Sequence, residues 1–162
     1  MNLKILKLFF LATVAGIILR ISDYAIAYAL IKSTGELSDN TNAIANTAGV
    51  ILSIVAVVFI GMKLRKEYDR KMFIKAATVL VVYSIVIFTI ERIAQYFNSY
   101  SLITYRLCIP TEMFFPIDLL LMQINIAGIP TWVLFIPSLF APYLFVLFGK
   151  KPTNSNSDVL SI

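Results

Sequence analysis

Long apolar runs separated by short polar knots organise this chain. A helix crosses a bilayer with roughly 20 mostly apolar residues. Four segments meet that requirement: about Leu6 to Ile31, Asn42 to Met62, Ala76 to Phe97 and Ile129 to Phe148. Two of the connections are short and polar, KSTGELSD and KLRKEYDRKMFIK. The third, from about Asn98 to Gly128, is long and mostly apolar. Pro110 and Pro116 punctuate it, and its run Ile117 to Gln123 is too short to cross. A re-entrant or interfacial segment fits such a stretch. The pattern therefore predicts an all-α, polytopic membrane protein with four transmembrane helices and a re-entrant or interfacial segment before the fourth. Residues 1–149 form one transmembrane domain, and the polar end, 150–162, reads as a disordered cytoplasmic tail.

The N-terminal run, with Lys4 and Lys7 ahead of it, also resembles a secretory leader, and Ala25-Ile-Ala27 offers a small-residue cleavage pattern. Arg20 and Asp23 would fall between the apolar region and the cut, so an uncleaved first helix is the expectation. Composition supports the membrane reading. The chain is 59% hydrophobic, against about 45–50% in soluble domains, and its mean hydropathy is +0.85.

The formal charge of +5 is not spread over a soluble face, which argues against a nucleic-acid partner. Lys4, Lys7, Lys63, Arg65, Lys66, Arg70, Lys71, Lys75, Lys150 and Lys151 fall on one side of the spans, and only Lys32 and Arg106 on the other. The positive-inside rule places both termini and the middle loop in the cytoplasm, so the chain is expected in the plasma (inner) membrane. Tyr96, Tyr100, Tyr105 and Trp132 suit an aromatic belt at the outer surface. With no histidine and a lone Cys108, no metal site, disulfide or histidine-based catalysis is expected, and no cofactor motif is present.

Charges inside the spans bear most on function. Asp23 lies sixteen residues beyond Lys7 and Glu91 sixteen beyond Lys75, while Asn46 precedes Lys63 by seventeen. With Arg20 and Arg92, these five side chains fall about 20–26 Å above the inner boundary, in the outer leaflet. Their faces agree: Thr13, Gly16, Arg20, Asp23 and Ala27 share a stripe, as do Asn42, Asn46, Gly49, Ser53 and Ala56. Ser84, Glu91, Gln95 and Asn98 form a third. Ala12-xxx-Gly16 and Ala45-xxx-Gly49 permit close backbone approach. A charge at the membrane centre costs about 2.5–3.5 kcal/mol on insertion scales, so compensation is expected from Arg20 with Glu91 and Asp23 with Arg92.

Such a layer is either a structural clasp or a site. As a clasp, it belongs to a non-enzymatic membrane subunit or interaction protein, whose partners are the bilayer and another membrane protein or a second copy. Glu112 and Asp118 are then interface residues or solvated loop charges. As a site, Asp23 and Glu91 carry protons or cations in a transporter component. They also form a carboxylate pair of the kind that activates water. Asp23, Asn46-Thr47-Ala48-Gly49, Ile90-Glu91-Arg92 and Ile124-Asn125-Ile126-Ala127 resemble motifs of lipoprotein signal peptidases, four-helix membrane aspartyl proteases. Glu91 and Gly128 stand where that family has its catalytic aspartates, so the resemblance implies a degenerate copy inactive in that chemistry.

Overall fold

The computed structural model describes residues 3–35, 39–99, 101–123 and 131–150. Tyr100, the stretch Ile124 to Gly128, the tail beyond Lys150 and the side chain of Trp132 lie outside the described residues. Three long helices dominate: α1 (Leu3–Thr34), α2 (Asp39–Leu64) and α3 (Arg70–Tyr96). All three are long and apolar enough to cross a membrane. Each overruns its expected limits at one or both ends, because helical geometry continues until a residue stops it rather than where hydrophobicity fades.

Those stops are visible. Asp69 caps α3, its carboxylate accepting a 2.7 Å hydrogen bond from the Met72 N–H. At the other end Asn98 takes a positive φ of 50°. Ser99 N–H then reaches the Ala94 carbonyl at 2.8 Å, and Asn98 N–H the Gln95 carbonyl at 3.1 Å. This is a Schellman turn. Asn98 therefore ends α3 and does not extend its polar face as the helical spacing suggested.

The inner end is knotted together. Lys7 Nζ lies 2.6 Å from Glu67 Oε2, and the Tyr68 hydroxyl donates to the Lys4 carbonyl. Arg70 N–H reaches the Lys150 carbonyl at 3.3 Å. The Lys7 ammonium, by hydrogen bond first and charge second, holds the exposed Glu67 carboxyl below its ordinary value of 4.5. A carboxyl lowered on folding stabilises above its unfolded pKa, and that contribution is lost as pH falls through the folded value. Thermal unfolding is accordingly expected to shift downward on acidification below about pH 4.5, and Glu67→Gln to remove that part of the acid limb. An unchanged limb in the Gln variant would clear the Lys7–Glu67 contact of any part in it.

Residues 131–148 depart from the continuous helix expected there. They form a 3₁₀ turn (Thr131–Phe135), a short helix α6 (Ile136–Phe140) and a second 3₁₀ stretch (Ala141–Phe148). Pro137 and Pro142 explain the fragmentation, since each removes an N–H donor and crowds the preceding turn. The pieces nevertheless run antiparallel along α3: Phe135 meets Phe88, Tyr143 meets Thr78, and Lys150 meets Arg70.

Between α3 and that strand of short helices, the chain dips into the bundle and returns. It descends through α4 (Leu102–Leu107) and a 3₁₀ turn (Ile109–Phe114), then reverses into α5 (Phe115–Gln123). On the way down the Tyr83 hydroxyl donates to the Leu107 carbonyl at 2.7 Å. The Ile109 carbonyl then sits directly against Gly16 of α1. Met113 and Phe114 enter the core beside Leu8, Ala12, Leu80 and Phe145. Gly16 lies about 14 Å along α1 from Lys7, so the tip of the dip packs near the middle of α1. The small residue that sequence suggested for helix–helix contact instead receives re-entrant backbone.

The hydrophobic core thus fills the inner half, where α1, α2, α3, the re-entrant tip and residues 141–148 converge. Phe148 closes that end with its ring laid on Gly61. Outward, Ile51, Val55 and Phe59 of α2 and Val82, Val86 and Ile93 of α3 are exposed. Faces of that size suit lipid tails, and in water they would associate.

Candidate functional site

Toward the end of the bundle away from Lys7 and Glu67, the core gives way to a charged cavity of about 460 Å³. Its α3 wall carries Ser84, Ile87, Phe88, Glu91, Arg92 and Gln95. That span of eleven residues covers roughly 16 Å of depth. The re-entrant segment supplies Tyr105, Cys108, Thr111, Glu112, Phe114, Phe115 and Asp118. Arg20 enters from α1, and Phe135, Ser138 and Leu139 close the remaining side.

Arg20 ties α1 to the re-entrant segment. Its guanidinium forms an ion pair with Glu112, donates to the Tyr105 carbonyl at 3.2 Å and lies 3.9 Å from the Tyr105 ring centroid. The hydroxyls of Tyr24 and Tyr105 meet at 2.6 Å just above. Three kinds of contact on one planar cation define its orientation, as arginine's fixed fork permits and a lysine would not.

Arg92 is held differently. It donates to Gln95 Oε1 at 3.0 Å, and its guanidinium lies 4.8 Å from the Phe88 centroid and 4.9 Å from that of Phe135. Aromatic faces attract a cation most where water is excluded. The side-chain partner within its own helix and the two rings together hold it at the cavity wall.

The cavity's hydroxyls spend their protons on nearby backbone. Ser84 donates to the Leu80 carbonyl at 2.8 Å, Thr111 to Cys108 at 2.7 Å and Ser138 to Phe135 at 2.9 Å. A hydroxyl so engaged has only lone pairs left to offer. Asp118 is 5% exposed. Its Oδ1 has no hydrogen-bond partner among the described residues, and neither has the Nε of Arg20 or Arg92.

Of the five side chains assigned to a polar layer, Arg20, Glu91 and Arg92 therefore share one cavity. Asp23 and Asn46 do not line it. Asp23 is exposed, and its carboxylate lies over Gly49, where an added Cβ would sit 3.3 Å from Oδ1. Asn46, half-buried, lies about one turn before Gly49 in α2. The carboxylate pair Asp23 and Glu91 is thus not gathered around one space.

Arg20 takes its ion pair from Glu112, which sequence placed among solvated loop charges or interface residues. Asp118 belongs to the cavity as well. The available signal for both was a carboxylate flanked by proline in an apolar connection. Among the described residues no group of three or more His, Cys, Asp or Glu is placed to hold a metal ion. Set against family models, curated proteins and solved structures, the chain has no match.

Proposed function

We propose that the chain is a small, non-enzymatic integral membrane subunit whose outer-half cavity binds a small polar solute, as the ligand-binding component of a transport or sensing assembly. The observation that carries this reading is the cavity itself: Arg20 closes on Glu112, yet a space remains that Glu91, Arg92 and Asp118 also line. A clasp serving only to fix helix register needs no room for a guest, whereas about 460 Å³ falls within the 300–1,000 Å³ typical of small-molecule sites.

The proposal includes a fourth crossing and cytoplasmic termini in the cell membrane. Residues 131–148 comprise thirteen in 3₁₀ geometry (5 + 8) and five in α. Rises of about 2.0 and 1.5 Å per residue give a length near 33 Å, enough for a hydrocarbon core. Their antiparallel course beside α3 and the one-sided Lys/Arg distribution support the same topology. The cavity then faces the outer leaflet.

Ligand binding to the folded state raises its unfolding temperature. The purified chain in lipid nanodiscs is expected to be stabilised by at least one class of small solute from a panel of amines, amino acids, sugars and inorganic anions. Asp118→Asn is expected to lose that response while folding normally. A panel with no effect, together with a Cys108 thiol closed to water-soluble reagents, would return the charges to a purely structural role.

A further inference from the structure

We propose that the solute bound in the outer cavity is a small organic cation, an alkyl- or trimethylammonium group, anchored by Asp118 against the surrounding phenylalanine rings. This rests on the ligand-binding reading and names the ligand class for the same site.

Charge gives the first argument. Glu91, Glu112 and Asp118 face Arg20 and Arg92 across the cavity, three carboxylates against two guanidinium groups. Formal charges leave one negative charge in excess. Arg20 is committed to Glu112, and Arg92 to Gln95 and two rings. Asp118, almost wholly buried, keeps one oxygen without a partner among the described residues. A carboxylate oxygen in that position is costly unless a donor or cation reaches it.

Hydrogen-bonding capacity gives the second. Ser84 and Thr111 return their protons to backbone carbonyls, so these two hydroxyls offer the space acceptors only, while Ser138 lies within hydrogen-bonding reach of both the Phe135 carbonyl and the Asp118 carboxyl. Those acceptors suit a group that brings its own hydrogens or diffuse positive charge. The Nε–H groups of Arg20 and Arg92 are buried donors without a partner among the described residues, and both guanidinium groups are already engaged, Arg20 by Glu112 and Arg92 by Gln95 and two rings.

The rings give the third. Phe114 and Phe115 line the same cavity as Asp118, beside Phe88 and Phe135, which already attract the Arg92 guanidinium, and aromatic rings lining a space with a carboxylate are the chemistry that recognises alkylated ammonium ions. Among the described residues the carboxylates are not grouped to chelate a metal ion.

Cys108, the chain's single cysteine, lines the cavity and reads its field directly. In nanodiscs, its modification by trimethylammonioethyl methanethiosulfonate is expected to outpace that by the sulfonatoethyl reagent by about tenfold, after division by each reagent's rate with a free thiol. Choline is expected to protect Cys108, and acetate, sulfate and glycine betaine to leave it reactive. Asp118→Asn is expected to bring the reagent ratio toward one. Should that variant fold poorly, choline protection of the unaltered chain still decides.

Faster reaction with the anionic reagent overturns the cation assignment. So does protection by an anion, by the betaine or by sodium at least as strong as choline's; in each case ligand binding itself stands. A thiol that reacts with neither reagent until the protein is denatured overturns the ligand-binding reading and the cation assignment together.

Discussion

Arg20→Ala is expected to destabilise the protein by about 3–5 kcal/mol, the range for breaking a buried ion pair from one side. Its side chain is 13% exposed and that of Glu112 19%, so the exchange strands a carboxylate in a poorly hydrated place. The loss extends beyond charge. The 3.2 Å bond to the Tyr105 carbonyl and the contact with its ring go too, and both fasten α4 to α1. Released from that anchor, residues 101–114 should lose amide-exchange protection before the long helices do. Glu112→Gln should cost less, because an amide left beside Arg20 still accepts a hydrogen bond. Replacing both partners together, Arg20→Met with Glu112→Leu, should be milder than Arg20→Ala alone, since no unpaired charge then remains. Unfolding measured in detergent for Arg20→Met, Glu112→Leu and their double closes the cycle. Additive losses would mean that Arg20 and Glu112 are neighbours without being partners.

Gly16→Ala is the second exchange with a large expected effect, about 3 kcal/mol at the upper end of the overpacking range. A Cβ there would overlap the Ile109 carbonyl and come within 3.3 Å of Glu112 Cβ. The obstruction is backbone in a turn wedged between α1 and the core, and it has no rotamer to yield. Gly49→Ala is the informative control. Its Cβ meets only the end of the Asp23 side chain, at 3.3 Å, and a carboxylate on an exposed residue can swing aside. The two glycines occupy matching small-xxx-small patterns, so equal losses would show that helix–helix spacing, and not the re-entrant seat, sets the requirement.

That contrast also marks how far sequence carries. α1, α2 and α3 were legible because each is a single uninterrupted apolar run with one span's worth of residues, and flanking lysines set their depth. That residues 102–123 break into short pieces instead of one long helix was legible from length and proline: Ile117 to Gln123 is apolar but too short, and Pro110 and Pro116 interrupt a continuous helix. What fills Gly16 was not. A glycine beside an alanine four residues away reads as a helix-packing notch whatever actually enters it.

Depth counting brought Arg20, Glu91 and Arg92 to one level, and they do share a cavity. The same count included Asp23 and Asn46, which lie on the α1–α2 side. Depth is one coordinate of three, and helical faces alone do not say which neighbour lies across them. Glu112 and Asp118 were misjudged for a related reason. They sit in short 3₁₀ and α pieces with no sustained period, so nothing in their spacing distinguishes an inward carboxylate from a solvated one. The broken course of residues 131–148 was hidden by a uniform apolar composition, in which Pro137 and Pro142 were the only sign.

The separation between Arg20 and Glu112 has a meaning in time. The two are 92 residues apart, and a ribosome adding about 5–20 residues per second takes roughly 5–18 s to cover that distance. α1 is complete long before its counter-ion has been translated. Throughout that interval Arg20 has Asp23, less than one turn onward, as its available local opposite charge, and Gly16 faces whatever lipid or insertion machinery occupies the place later taken by Ile109. Biogenesis of such a chain is therefore a waiting problem: the first helix stays half-finished until the seventh dozen residues after it give both the glycine and the arginine their partners.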